Sequence, residues 1–173
     1  MSHDTKHHNH AAMRVGSQAG FTAIELVIAM AIAAILVAVA GPSLADLLAA
    51  QRVKTTTFDF YAALALARSE AIKRNTVVDI APRNGNFVNG WDIRAGGAVL
   101  SSRLGLSPVA ISVPAGVTLA YDQDGRLTSS GRYDVRLTTP GNANVATRCV
   151  TVDPAGRPSI RIDANRDGNC FNG

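Results

Sequence analysis

The residues with the clearest chemical meaning are Gly20-Phe21-Thr22-Ala23-Ile24-Glu25-Leu26-Val27, at the head of a long apolar run. Glu25 is the only charge between positions 21 and 45, and positions 26–39 are entirely apolar. About 20 helical residues cross the hydrocarbon core of a bilayer, so this run is long enough to span one. A carboxylate at membrane depth costs on the order of a few kcal/mol and calls for a positive partner. Scission between Gly20 and Phe21 creates that partner, the new α-amine of Phe21. Within one helix, amine and carboxylate lie about a turn apart and pair poorly. A neighbouring helix staggered by a turn supplies the amine well, so Glu25 makes sense in an array of such helices. A secretory signal peptide, by contrast, is cut after its apolar run. Ala38-Val39-Ala40 does offer a small-x-small site for that alternative, which would release a chain beginning at Gly41 as a periplasmic binding protein.

Other residues of chemical interest lie near the C-terminus. Cys149 and Cys170 are the only cysteines. In an exported domain they read as one disulfide, and in a cytosolic one as free thiols. Gly156-Arg157-Pro158-Ser159-Ile160-Arg161 places two arginines on one side of an extended segment, with Arg148 and Arg166 near in sequence. Arginines so placed suit phosphate contacts with DNA. They equally suit a solvated strand edge, because aspartates nearly balance the arginines after Tyr121. Asp163-Ala164-Asn165-Arg166-Asp167-Gly168 matches the first six positions of a calcium loop. The bidentate carboxylate at the twelfth position would fall at residue 174, so Asp153 is the substitute from elsewhere in the chain. The same six residues also read as a plain Asp/Asn/Gly turn. Histidines occur only at positions 3, 7, 8 and 10, with no standard metal spacing. No nucleophile–base set or glycine-rich phosphate loop follows them, so no enzyme activity and no cofactor other than calcium is expected.

These residues must be positioned by a chain of 173 residues with 5% aromatics and a formal net charge of +4. That length suits one domain with appendages, and the charge is too mild to imply nucleic acid by itself. Lys6 and Arg14 precede the apolar run and place the N-terminus in the cytoplasm, with the rest of the chain outside. Pro42 closes the run and should kink or loosen the helix. Beyond it a helical pattern resumes to about Arg74. Leu44, Leu48, Phe58, Tyr61, Ala62, Ala65, Ser69 and Ile72 share one face, taken as the face toward the core. After Asn75, short β-type runs at 76–81, 87–94, 109–113, 117–121, 133–138, 148–152 and 159–162 alternate with turn residues. The expected organisation is a polar leader over 1–20, a transmembrane helix half over 21–42 and an amphipathic helix half over 43–75. A small antiparallel β-domain over 76–173 completes it. The fold class is α+β, because helix and sheet must cover each other's apolar faces.

Gly20-Phe21-Thr22-x-Ile24-Glu25-Leu26, the apolar run and Pro42 together resemble type IV prepilins and the pseudopilins of type II secretion. The resemblance covers Gly20 to Arg74. It implies the type IV pilin fold and cleavage after Gly20 by prepilin peptidase. It further implies methylation of the Phe21 amine and a role for Glu25 in docking to other pilins or pseudopilins in the inner membrane. Leu64-Ala65-Leu66-Ala67-Arg68-Ser69-Glu70-Ala71-Ile72-Lys73-Arg74 and Gly90-Trp91 are similar to the subgroup of H-type pseudopilins and FimT-type and FimU-type minor pilins. That subgroup implies a pseudopilin or minor pilin of a type II secretion system or type IV pilus, with a tip or initiating role. The C-terminal arginines partly match FimT-type minor pilins that capture DNA for transformation. Position 159 is Ser here, and the second arginine comes at 161.

The two readings of the N-terminus separate cleanly. N-terminal sequencing of the mature protein is expected to start at a methylated Phe21, and a start at Gly41 would establish ordinary secretion instead.

Overall fold

The computed structural model describes residues 20–105, 108–129, 131–168 and 170. Apart from Gly20, the expected leader lies outside them. The described chain divides into two units, up to Ala40 and from Gly41 onward. Helix α1 (Ala23–Arg74) is 52 residues long. Up to Gly41 its described side chains are all exposed. It carries an 18-residue stretch of mean hydropathy 2.7 and is, by length and composition, long and apolar enough to cross a membrane. The helix runs on through Gly41-Pro42 as a single element, as expected.

Both ends of α1 are set by local chemistry. At the start, the Glu25 N–H donates to the Thr22 hydroxyl at 3.3 Å, which makes Thr22 a side-chain cap. At the end, Asn75 takes a left-handed conformation (φ 51°). The Asn75 N–H donates to the Ile72 carbonyl and the Thr76 N–H to the Ala71 carbonyl. This paired closure satisfies carbonyls that the helix leaves open and stops it at Arg74.

Eight strands follow among the described residues: β1 (Val78–Pro82), β2 (Gly90–Ala95), β3 (Ala98–Leu104), β4 (Ala110–Ser112), β5 (Ala120–Tyr121), β6 (Tyr133–Thr138), β7 (Arg148–Val152) and β8 (Pro158–Ile162). They form two four-stranded sheets, ordered β3-β2-β1-β5 and β4-β6-β7-β8, with antiparallel pairing throughout. Strand β3 departs from the sequence reading, which placed no strand there. It pairs with β2 through a two-residue turn, Gly96-Gly97, both with positive φ, as tight hairpins require. Its Ser101-Ser102-Arg103 segment lies at a sheet edge and is largely exposed, so it carries no apolar alternation to betray it. Residues 87–89, read as the start of a strand, form a short 3-10 turn capped by the Asn86 side chain. Gly90 then has φ 104°, and a Cβ there would meet the Arg103 carbonyl oxygen at 1.9 Å, so this position admits only glycine.

The helix buries a different face from the one expected. The residues packed into the core are Ala49, Val53, Thr56, Thr57, Phe60, Ala63, Leu64, Ala67 and Ala71. Leu44, Leu48 and Phe58 are exposed away from that stripe, while Tyr61 and Ile72, also exposed, lie along its edge beside Arg157 and Pro158. Both stripes keep helical periodicity, so period alone cannot rank them. Side-chain size and partners decide. The buried stripe is mostly Ala and Thr, which let the sheets approach closely, and each Thr hydroxyl bonds back to a carbonyl four residues earlier. At its margins, Asp59 pairs with Arg103, Arg68 donates to the Gly125 carbonyl, and Asp46 accepts from Asn142 and Asn144.

Phe60 anchors the contact. Its ring meets Trp91 edge-on at 5.1 Å and Phe87 edge-on at 5.8 Å. Around it, Val78, Ile80 and Ile93 of one sheet and Val135, Leu137, Val150 and Val152 of the other join a single core.

Phe58 and Phe60 therefore provide an internal control. Phe60→Ala should cost about 3–5 kcal/mol in urea unfolding of the chain held in detergent. Phe58→Ala, on the exposed stripe, should change stability by no more than about 0.5 kcal/mol.

Candidate functional site

The N-terminal site begins with Gly20, Phe21 and Thr22, which precede the first helical residue. A Cβ on Gly20 would meet nothing within 4 Å, so the fold does not require glycine there. A requirement for a small residue at position 20 must then come from whatever handles this junction. Phe21 is 83% exposed. Glu25 lies in the first turn, where the open N–H groups of a helix favour a negative charge. Thr22 escaped the sequence reading. Its signal was visible as Thr-x-x-Glu ahead of an apolar run, the pattern of a capping box.

The four arginines singled out from the sequence do not share one surface. Arg161 is directly opposite Cys149, and Cys149 directly opposite Arg136, so these three leave the same face of the second sheet. Arg148 pairs with Leu137 and Ile162 and leaves the other face. Arg157 precedes β8 and turns back on Asp153, with its Nε 2.8 Å from the Asp153 carboxylate. Hydrogen bonding from the Arg157 backbone and guanidinium holds the Asp153 carboxyl below its usual range. Arg157 also borders a groove with Tyr61, Arg68 and Ile72 of the helix. Arg166 lies in the loop after β8. The expectation that 157 and 161 act from one strand face fails because the strand begins at Pro158 and its turn captures Arg157.

Gly156, part of the same motif, has a structural reason. Its φ is 78°, and a Cβ would meet the Gly125 carbonyl oxygen at 2.1 Å. Two turns are thus pressed together beside Tyr121, whose burial pushes its phenol well up from the ordinary value.

The expected disulfide is present. Cys149 and Cys170 are bonded, with Cα atoms 6.2 Å apart. Cys149 is in a central strand and fully buried, so the bridge fastens the segment after β8 across the sheet face that carries Arg136 and Arg161. A loop of this length is stabilised by about 3 kcal/mol in the chain-entropy model.

In the 163–168 loop, the Gly168 N–H donates to Asp163 Oδ2 at 2.8 Å, and the Asn165 amide to Asp167 Oδ2 at 3.1 Å. Asp153 does not join them. It sits in the β7–β8 turn, whereas Asp163 follows the far end of β8, five residues away along the strand. Among the described residues, no three His, Cys, Asp or Glu side chains converge as a metal site.

Comparison with known proteins fits this geometry. The family model described as Type II transport protein GspH matches residues 56–156, and that of the prokaryotic N-terminal methylation motif matches residues 16–41. No curated protein matches the chain in sequence. Two crystal structures of the type IV minor pilin FimU of Pseudomonas aeruginosa (strain PAO1) are similar in fold at 20% identity. One has a TM-score of 0.53 and covers 68% of this chain and 99% of that chain. The other has a TM-score of 0.56, with 70% and 96% covered. The likeness shows the pilin fold, a long N-terminal helix packed on antiparallel sheets. With the first family model spanning more than half of its length, the chain belongs to the Type II transport protein GspH family and is a pilin-like structural subunit, not an enzyme.

Proposed function

We propose that this chain is a low-copy subunit of the initiating tip of a type II secretion pseudopilus or type IV pilus. In this reading, prepilin peptidase cuts between Gly20 and Phe21 and the Phe21 amine is methylated. The apolar half of α1 stays in the inner membrane, and the β-domain lies in the periplasm. The observation that carries the reading is the Gly20-Phe21…Glu25 head joined to a bilayer-length apolar helix. Support also comes from the second half of α1. With its small-residue stripe against the sheets, it still exposes Leu44, Leu47, Leu48, Phe58, Leu66 and Ile72. That is more apolar surface than a lone domain gains by showing, and neighbouring helices in a filament would cover it.

The pairing of Glu25 with a neighbour's amine gives the test. In Glu25→Ala, cleavage after Gly20 should proceed while the amount recovered in sheared filaments falls by on the order of tenfold or more, the equivalent of about 1.4 kcal/mol. Undiminished incorporation would defeat the proposed docking. Deletion strains assayed for exoprotein secretion and for twitching would assign the machine.

A second reading, capture of DNA by a FimT-type minor pilin, is favoured by one observation. Arg136 and Arg161 flank Cys149 on one face of the second sheet, about 10 Å apart at the usual strand spacing. Neither makes a salt bridge among the described residues. On this reading duplex DNA should be shifted by the protein at low salt, and Arg136→Ala with Arg161→Ala should abolish the shift. Arg157→Ala should largely spare it, because that guanidinium is already held by Asp153. No shift at low salt would end this reading.

A further inference from the structure

We propose that the loop 163–168 is a weak calcium site that fastens the segment after β8. Asp163, Asn165, Asp167 and Gly168 occupy the first, third, fifth and sixth positions of a calcium loop. The spacing alone also fits an ordinary turn, and the deciding observation is the state of Asp163. Its residue is 1% exposed, yet one carboxylate oxygen, Oδ1, is buried without a hydrogen-bond partner. No salt bridge to Asp163 exists among the described residues. Buried carboxylate oxygens are ordinarily paired or bound to metal, because leaving one bare costs a large part of its hydration. Asp163 directly follows β8, and its N–H donates to the Thr147 carbonyl at 3.0 Å. The backbone of Asp163 is therefore held in place at the start of the loop.

The loop also closes on the same side chain. The Gly168 N–H closes onto the other oxygen, Oδ2, and brings the end of the loop back to its start. Gly168 has φ 82° and Arg166 φ 59°, so the backbone turns twice within the six residues. The Asn165 side chain lies against Asp167, and half a turn of its amide replaces nitrogen by oxygen at the same place. Asp163 Oδ1, the Asn165 amide oxygen and the Asp167 carboxylate then provide hard oxygen ligands from three side chains. Carbonyls of the loop and water would complete the six to eight that calcium takes. Two carboxylates beside the Arg166 cation make a site of low charge, at the weak end of the range, with Kd of about 10⁻⁴–10⁻³ M, as in extracellular modules. Magnesium, which demands a tighter octahedron and dehydrates reluctantly, should not substitute.

Titration calorimetry of the full chain in detergent against calcium chloride tests the site, with thermal unfolding in calcium, magnesium or sodium chloride at matched ionic strength alongside. Saturable binding near one equivalent, and a rise in Tm specific to calcium, are expected. Asp167→Asn, an exposed and isosteric change, should weaken binding at least tenfold and remove the Tm response. Asp163→Asn should do the same, and if it fails to fold the Asp167 variant decides alone. No saturable heat up to about 10 mM calcium, ten times the weakest expected Kd, overturns the proposal. So does a Tm rise matched by magnesium or sodium, or binding that survives Asp167→Asn.

Discussion

The fold depends on how closely two sheets can approach one helix. Ala49, Ala63, Ala67 and Ala71 present almost no side chain, and Thr56 and Thr57 turn their hydroxyls back onto the helix backbone. That leaves room for one large group, Phe60, to fill the space beneath Trp91 and Phe87. Residues of both sheets share one core with this stripe, so each sheet relies on it to exclude water from its inner face. The same economy frees the bulkier apolar residues of the helix for the other side, and a domain with a bare apolar flank suits assembly better than life alone.

How much of this could be read beforehand varies with the range of the forces involved. The apolar run, the helix end near Arg74 and the strands bearing Val and Ile follow from local propensity, and they occur nearly where expected. The helix face does not, because two stripes of equal periodicity compete and only the shape of the sheets chooses between them. Strand β3 hides because an edge strand with two exposed sides has no need of alternation. At the N-terminal end the Gly20-Phe21…Glu25 run could be read as a motif, and the element that reading missed, the Thr22 cap, stood in plain view two residues after Gly20. At the C-terminal end, residues near in sequence were assumed near in space. Antiparallel pairing sends Arg148 and Arg161 to opposite faces, and a turn ties Arg157 to Asp153.

Gly156 shows how a recognition motif can arise from packing. The glycine is there because the Gly125 carbonyl leaves no room for a Cβ, and the arginine beside it neutralises an aspartate in its own turn. A glycine–arginine pair in this place is thus what a well-closed β7–β8 hairpin needs, whatever else the surface does. The arginines with a stronger claim on an outside partner are Arg136 and Arg161 beside the disulfide, which make no salt bridge among the described residues.

The disulfide itself bears on how the domain matures. With only two cysteines in the sequence, oxidation has a single intramolecular outcome, and no wrong bridge within the chain has to be undone. An oxidant suffices, and an isomerase has nothing to correct. Since the two partners are only 21 positions apart, export of the domain as proposed above would deliver them almost together. The bond can then close on the nascent hairpin before the long-range contact with α1 has been sorted out. Maturation of this subunit should accordingly tolerate loss of disulfide shuffling while remaining sensitive to loss of oxidising power in the compartment that receives it.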